Sequence, residues 1–205
     1  MILKTTIATL LALSMSASLA ANTAKSKPSS VSTNTEKKIT KHYSYNGKDY
    51  YLNLITTESI EVDNGEDVDV INLKMNFVNN KNVQLWSMKD RVTCSGLDIS
   101  ADFIPEAITF NAIKPHTGDE NNIEVTLGYK MFCGGGVDPK VLKVIYHDNT
   151  KKVALRGETA IVYEGEKVKP TDGKYQIDSD FKKAPPQIQN HLKNIWKKVY
   201  IENMQ

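Results

Sequence analysis

The residue types that could do chemistry are few and scattered. Cys94 and Cys133 are the only cysteines in the 205-residue chain. A thiol can act as a nucleophile, bind a metal or form one covalent bond. A metal site needs three or four converging ligands, and nothing around either cysteine has metal-ligand or C-x-x-C spacing. Two cysteines in an exported chain most simply pair. Closing a loop of about 39 residues stabilises by ~4 kcal/mol on chain-entropy reasoning. Two unpaired thiols, or a site that recruits a histidine, are the alternatives.

The four histidines, His42, His116, His147 and His191, sit among polar neighbours at wide separations and read as solvated surface residues. No G-x-S-x-G elbow, H-E-x-x-H pair or Walker loop occurs. Asp98, Asp102 and Glu124 could form a carboxylate pair in space, as hydrolases use, but their spacing does not require it. The expectation is therefore a protein that is not an enzyme, with no catalytic residue, metal or cofactor.

Two stretches suit binding instead. Cys133 opens into Gly134-Gly135-Gly136-Val137-Asp138-Pro139. Three glycines after a strand resemble a phosphate cradle, but Val137-Asp138-Pro139 does not open a helix, so the helix-dipole half of that mechanism is missing. Either the glycines are a bulged strand connection, or they form a contact loop whose bare backbone a partner can approach closely. Glu58, Glu61, Asp63, Glu66, Asp67 and Asp69 lie within twelve residues that contain no basic residue. Asp63-Asn64-Gly65-Glu66-Asp67 is a hairpin turn with solvated carboxylates, and it lacks the spacing of an EF-hand loop. If it has a role, it steers a basic protein. The candidate partner-binding residues are Gly134, Gly135, Gly136 and Asp138 on one segment, and Asp63, Glu66, Asp67 and Asp69 on the other.

The elements that must position these residues are mostly strands. Met1–Ala20 has the short basic start, apolar run and Ser18-Leu19-Ala20 ending of a signal peptide cleaved after Ala20. Residues 21–36 are Ser, Thr, Asn and Lys with little apolar content, the composition of a disordered tether. Residues 37–205 are one domain's length. The formal net charge is only +2, which excludes a general nucleic-acid or membrane-surface role. No later stretch is apolar for long enough to span a bilayer. A periplasmic or secreted location follows as the expectation.

Asn46-Gly47 predicts a two-residue hairpin turn that pairs Tyr45 with Lys48, Tyr43 with Tyr50, Lys41 with Leu52 and Ile39 with Leu54. Ile71, Leu73, Met75 and Phe77 alternate with Asn72, Lys74 and Asn76 as a half-buried strand. Ile99, Ala101 and Phe103, then Ile108 and Phe110, continue the pattern, and 114–122 reads as loop. Ile123 to Met131 is a second long alternating strand, whereas Val141 to Tyr146 is apolar on both faces. Roughly nine to twelve strands are expected, as an antiparallel β-sandwich or partly closed β-barrel. Near the end Ile188, Leu192, Ile195, Trp196 and Val199 recur at helical spacing. They predict a helix over about 185–201, packed on the sheet or offered to a partner or to anionic lipid.

Tyr129-Lys130-Met131-Phe132-Cys133-Gly134-Gly135, followed by Leu142, Val144 and Tyr146 and then Val153, Leu155 and Gly157, is similar to the opening strands of the periplasmic C-type lysozyme inhibitors. The S-G-x-x-Y element of that family has no match downstream. The functional expectation is an exported protein-binding module, of inhibitor or immunity type, for a basic envelope or extracellular protein. A barrel holding a small apolar ligand among Tyr43, Met75, Phe77 and Tyr129 is the alternative.

Overall fold

The computed structural model describes residues 35–112, 123–169 and 172–204. The expected signal peptide, almost all of the expected tether, the loop at 114–122 and His116 lie outside them. The first strand, β1 (Thr35–Tyr45), begins two residues inside the stretch read as tether. It turns through Asn46 and Gly47, at φ 50° and 70°, into β2 (Lys48–Asp63). Both turn residues need positive φ, which Asn and Gly adopt at least cost. The register is the expected one, Tyr45 with Lys48 through Ile39 with Leu54. A second such turn, Asn64-Gly65, joins β2 to β3 (Glu66–Asn79). Asn79 to Val83 then leads into β4 (Gln84–Cys94), with the Asn79 side chain accepting from the Lys81 and Val83 amides. These four strands form one antiparallel sheet in sequence order.

The second sheet has the order β10-β8-β7-β6-β5. Its strands are β5 (Asp98–Ala112), β6 (Ile123–Gly134), β7 (Val141–His147), β8 (Lys152–Glu158) and the short β10 (Tyr175–Gln176). The core-facing residues of β5 change parity between Phe103 and Ile108, and the β5–β6 register breaks between Ile104 and Thr109. This bulge contains Pro105, which has no N–H for a ladder. It also turns Ala107 onto the opposite face of the sheet, where it is fully buried.

The two sheets pack face to face. Leu52, Leu54, Leu73, Met75 and Phe77 from the first meet Val125, Leu127, Tyr129 and Ile145 from the second. The sheets do not close into a barrel, so the sandwich is the correct half of the expected pair of architectures. Tyr43, Met75, Phe77 and Tyr129, the lining expected for a barrel ligand, pack into this core, with Met75 and Phe77 fully buried.

The other face of the second sheet is covered by helices, which is why β7 is apolar on both sides. Leu142, Val144, Tyr146, Val153 and Leu155 pack against Phe181 of α1 (Ser179–Lys183) and against Leu192, Ile195, Trp196 and Val199 of α2 (Pro186–Val199). A 14-residue helix is marginal alone in water. Burying its apolar stripe, at roughly 1.5–3 kcal/mol per large side chain, decides the outcome. That stripe is occupied by the sheet and is not offered outward. Pro186 opens α2 at a position needing no amide donor, and Lys197 and Lys198 suit its C-terminal dipole.

The helix ends two residues earlier than expected. Ile201–Met204 form β11, which pairs in parallel with β9 (Ala160–Tyr163). This pair departs from the otherwise antiparallel arrangement, and α1 and α2 supply the long crossover that a parallel pair requires. No helix among the described residues is long and apolar enough to cross a membrane.

Candidate functional site

Even-numbered residues of β4 and odd-numbered residues of β6 face the space between the sheets, which brings Cys94 and Cys133 together. They form a disulfide with Cα atoms 5.4 Å apart, 39 positions apart in sequence. The bond ties one sheet to the other at one end of the sandwich. β4 stops there, with Cys94 paired to Asp69, but β2 and β3 continue past it. From Glu61 paired with Val68 to Asp63 paired with Glu66, the two strands pair only with each other. This overhanging hairpin carries Glu61, Asp63, Glu66 and Asp67, with Asp69 at its base, all exposed. Its one described ion pair is Glu61 with Arg91 at 2.9 Å. Both side chains are nearly half exposed, so the pair contributes about 0–1 kcal/mol and leaves the tip strongly acidic.

Beneath the overhang lies a recess of about 480 Å³, lined by Glu61, Val62, Asp63 and Arg91 and floored by Cys94 and Cys133. The glycine loop leaves directly from Cys133. Gly134 still pairs with Asp98 at the end of β6. Gly136 has φ +67°, which requires a residue without a Cβ clash. Asp138 Oδ2 accepts from the Gly135 amide at 3.1 Å, so this carboxylate folds the loop back on itself. Exposed Val137, with Pro139, lines a neighbouring recess of about 340 Å³ shared with Ile161 and Tyr163. The two segments singled out in the sequence thus lie at one end of the molecule, next to the disulfide. Asp63 lines the recess there, whereas Glu66, Asp67 and Asp69 lie along the overhang outside it.

The carboxylates considered for catalysis do not converge. Asp98 pairs with Gly134 at the disulfide end, Asp102 with Lys130, and Glu124 with Asn111 near the far end. Glu124 accepts instead from the Tyr146 hydroxyl at 2.7 Å. The histidines are less solvated than expected. His42 is exposed and bonds Asp49, but His191 is part-buried and lies 3.0 Å from the Thr126 hydroxyl. His147 stacks on Trp86 with ring centroids 4.5 Å apart. Burial holds its imidazole below the usual histidine range. Both were misread because polar neighbours in sequence suggested solvent, whereas folding packs His147 on the Trp86 ring and His191 against threonine hydroxyls of the second sheet. Among the described residues no three His, Cys, Asp or Glu side chains gather as a metal site would require.

One polar cluster was missed in the sequence. Between the sheets, Asp90 Oδ2 accepts from the Tyr129 hydroxyl at 2.7 Å and pairs with Lys143 Nζ at 2.5 Å. Burial works to raise the Asp90 carboxyl, but the hydrogen bonds from Lys143 and Tyr129 outweigh it and hold the group below its ordinary value. The Tyr129 hydroxyl is pushed up by burial and by donating to Asp90. The available signal was parity: Asp90 lies between core-facing Met88 and Val92, and Lys143 shares a face with Ile145. The cluster lines neither recess at the disulfide end, so its effect is on how the sheets hold together.

The disulfide end presents an acidic, partly apolar surface beside one covalent tie between the sheets. Comparison with protein-family models, with curated proteins and with solved structures finds no significant match for the chain.

Proposed function

We propose that this chain is an exported binding module, not an enzyme, which docks a basic protein at the disulfide end of its sandwich. The observation that carries this is that the acidic overhang and the glycine loop both adjoin the disulfide, the overhang across a recess lined by Cys94 and Cys133 and the loop directly after Cys133. Carboxylates on a projecting hairpin speed encounter with a cationic partner, and the effect weakens as salt rises. The covalent tie beneath them limits the entropy lost on docking. An inhibitor or immunity-type partner of an enzyme acting on the cell envelope is the most concrete form of this reading. A periplasmic or secreted location, with the N-terminal segment removed after Ala20, belongs to the same proposal. The disulfide supports an oxidising compartment.

The test is retention of proteins from an envelope extract on the immobilised chain, in low salt and in ~1 M salt, where the screening length falls to about 3 Å. A basic protein should be held at low salt and released at high salt. The variant Asp63→Asn/Glu66→Gln/Asp67→Asn/Asp69→Asn should lose it. Equal retention by wild type and variant would reject the acidic end as the docking surface. Sequencing the N-terminus of the purified mature protein tests export, and a retained Met1 would reject that part.

A further inference from the structure

A groove with a cationic rim lies at the opposite end of the molecule, where the carboxylates of Glu124 and Asp148 are engaged by the Tyr146 hydroxyl. The turn from β7 to β8 lies beside the connection from α1 to α2, and between them is this groove, of about 350 Å³. Lys151, Lys152 and Lys183 line it with a single acid, Asp180, over an aliphatic floor that includes Val153 and Ile188. A cationic rim over an apolar floor suits an aliphatic side chain flanked by carboxylates. The overhang of β2 and β3 is such an element: Ile60 and Val62 are 49% and 48% exposed there, among Glu61, Asp63, Glu66 and Asp67.

One copy cannot bring the two together. The overhang projects beyond Cys133, whereas the groove lies at the end of the second sheet where Val125 pairs with His147. The stretch of β6 from Val125 to Cys133 alone separates these ends by about 27 Å at strand rise.

We propose that the groove is the docking site for the β2–β3 overhang of a second copy of this chain. Charge complementarity selects this occupant, and the exposed aliphatic pair supplies the apolar contact. The contact joins two different surfaces, so a pair of copies keeps one unused overhang and one unused groove. Association therefore proceeds head to tail, into open chains or rings, and not into a two-fold dimer.

Sedimentation velocity of the purified protein over a wide range of concentration tests this. At low salt, species heavier than a monomer should grow with concentration, and in ~1 M salt only the monomer should remain. The tip variant Glu66→Lys/Asp67→Lys and the groove variant Lys151→Glu/Lys152→Glu should each be monomeric at low salt. Mixed in equal amounts they should assemble again, because each altered surface then meets an opposite one. All four positions are exposed, and unchanged circular dichroism checks that the variants fold. A wild type that stays monomeric, assembly that survives both charge reversals, or a mixture that stays monomeric would each overturn the proposal. A monomer that binds an acidic peptide through Lys151 and Lys152 would overturn it as well, by giving the groove a different occupant. Both readings use the overhang and would compete for it; a monomeric wild type overturns self-docking alone, whereas docking of a basic protein is read by retention from the extract.

Discussion

Replacing Asp90 with alanine should be among the most damaging single changes that leave the hydrophobic core intact. The substitution removes the acceptor shared by Tyr129 and Lys143 and leaves an ammonium and a hydroxyl between two sheets. Breaking a fully buried ion pair from one side costs about 3–5 kcal/mol, and a hydrogen bond to a charged group contributes about 1.5–3 kcal/mol. The Asp90 and Lys143 side chains each keep a fifth of their exposure. Water can therefore reach the orphaned ammonium in part, and the lower portion of that range applies. The expected loss is about 2–3 kcal/mol, or roughly 5–10 °C in Tm for a domain of this size. Urea and thermal unfolding followed by circular dichroism read both quantities. The triple variant Asp90→Leu/Lys143→Met/Tyr129→Phe removes all three polar groups, so it should recover most of the loss. The wild type also carries a pH signature. The Asp90 carboxyl is held below its ordinary value when folded, so its contribution is complete above about pH 4 and is lost as pH falls through the folded value. Asp90→Ala should flatten that acid limb. A single variant within ~0.5 kcal/mol of wild type, or a triple variant no better than the single, would refute the reasoning, because exposed pairs behave that way.

Three further outcomes follow from particular contacts. Gly128→Ala places a Cβ 2.6 Å from the Ala107 Cβ, where the β5 bulge crosses β6. It should cost about 1–3 kcal/mol of overpacking in urea unfolding, and a neutral result would show that the bulge can move. Reducing the disulfide opens a loop of 39 positions and should lower stability by about 4 kcal/mol. An unchanged urea midpoint with reductant, with both thiols then titratable, would contradict this. His147 is held below its ordinary range chiefly by burial, so the unfolded chain takes up its proton first. Stability should fall as pH drops from about 6.5 towards the folded value, and His147→Phe should remove that slope. A variant with the wild-type profile between about pH 7 and 5 would assign the slope to another group.

The legible parts of the fold are those whose cause is local. Asn46-Gly47 stated its turn type, and the turn then set every pair from Tyr45 with Lys48 to Ile39 with Leu54. Alternation from Ile71 to Phe77 named the buried face correctly, and all four residues are buried. The change of parity after Phe103 is present in the sequence but reads there as a continuing pattern, and the β5 bulge emerges only from the β5–β6 register. The two cysteines were legible because a chain with only two has one possible pairing. Other features had no short-range cause. Ile201–Met204 look like the fraying end of a helix until Ala160–Tyr163 is placed alongside. Asp90 and Lys143, 53 positions apart, are ordinary charges until one sheet is laid on the other. The acidic run was read correctly as a turn. Its projection past the sandwich depends on where β4 ends, a property of a different strand.

Taken alone, the order of residues determined the long strands, their oily faces and the tight turns, because pleat, helical pitch and turn stereochemistry act within a few bonds. Only the folded molecule decided which faces meet, which charges lose their water and which acidic residues are left projecting. Those outcomes depend on burial between segments tens of residues apart, and burial is set by the whole packing arrangement.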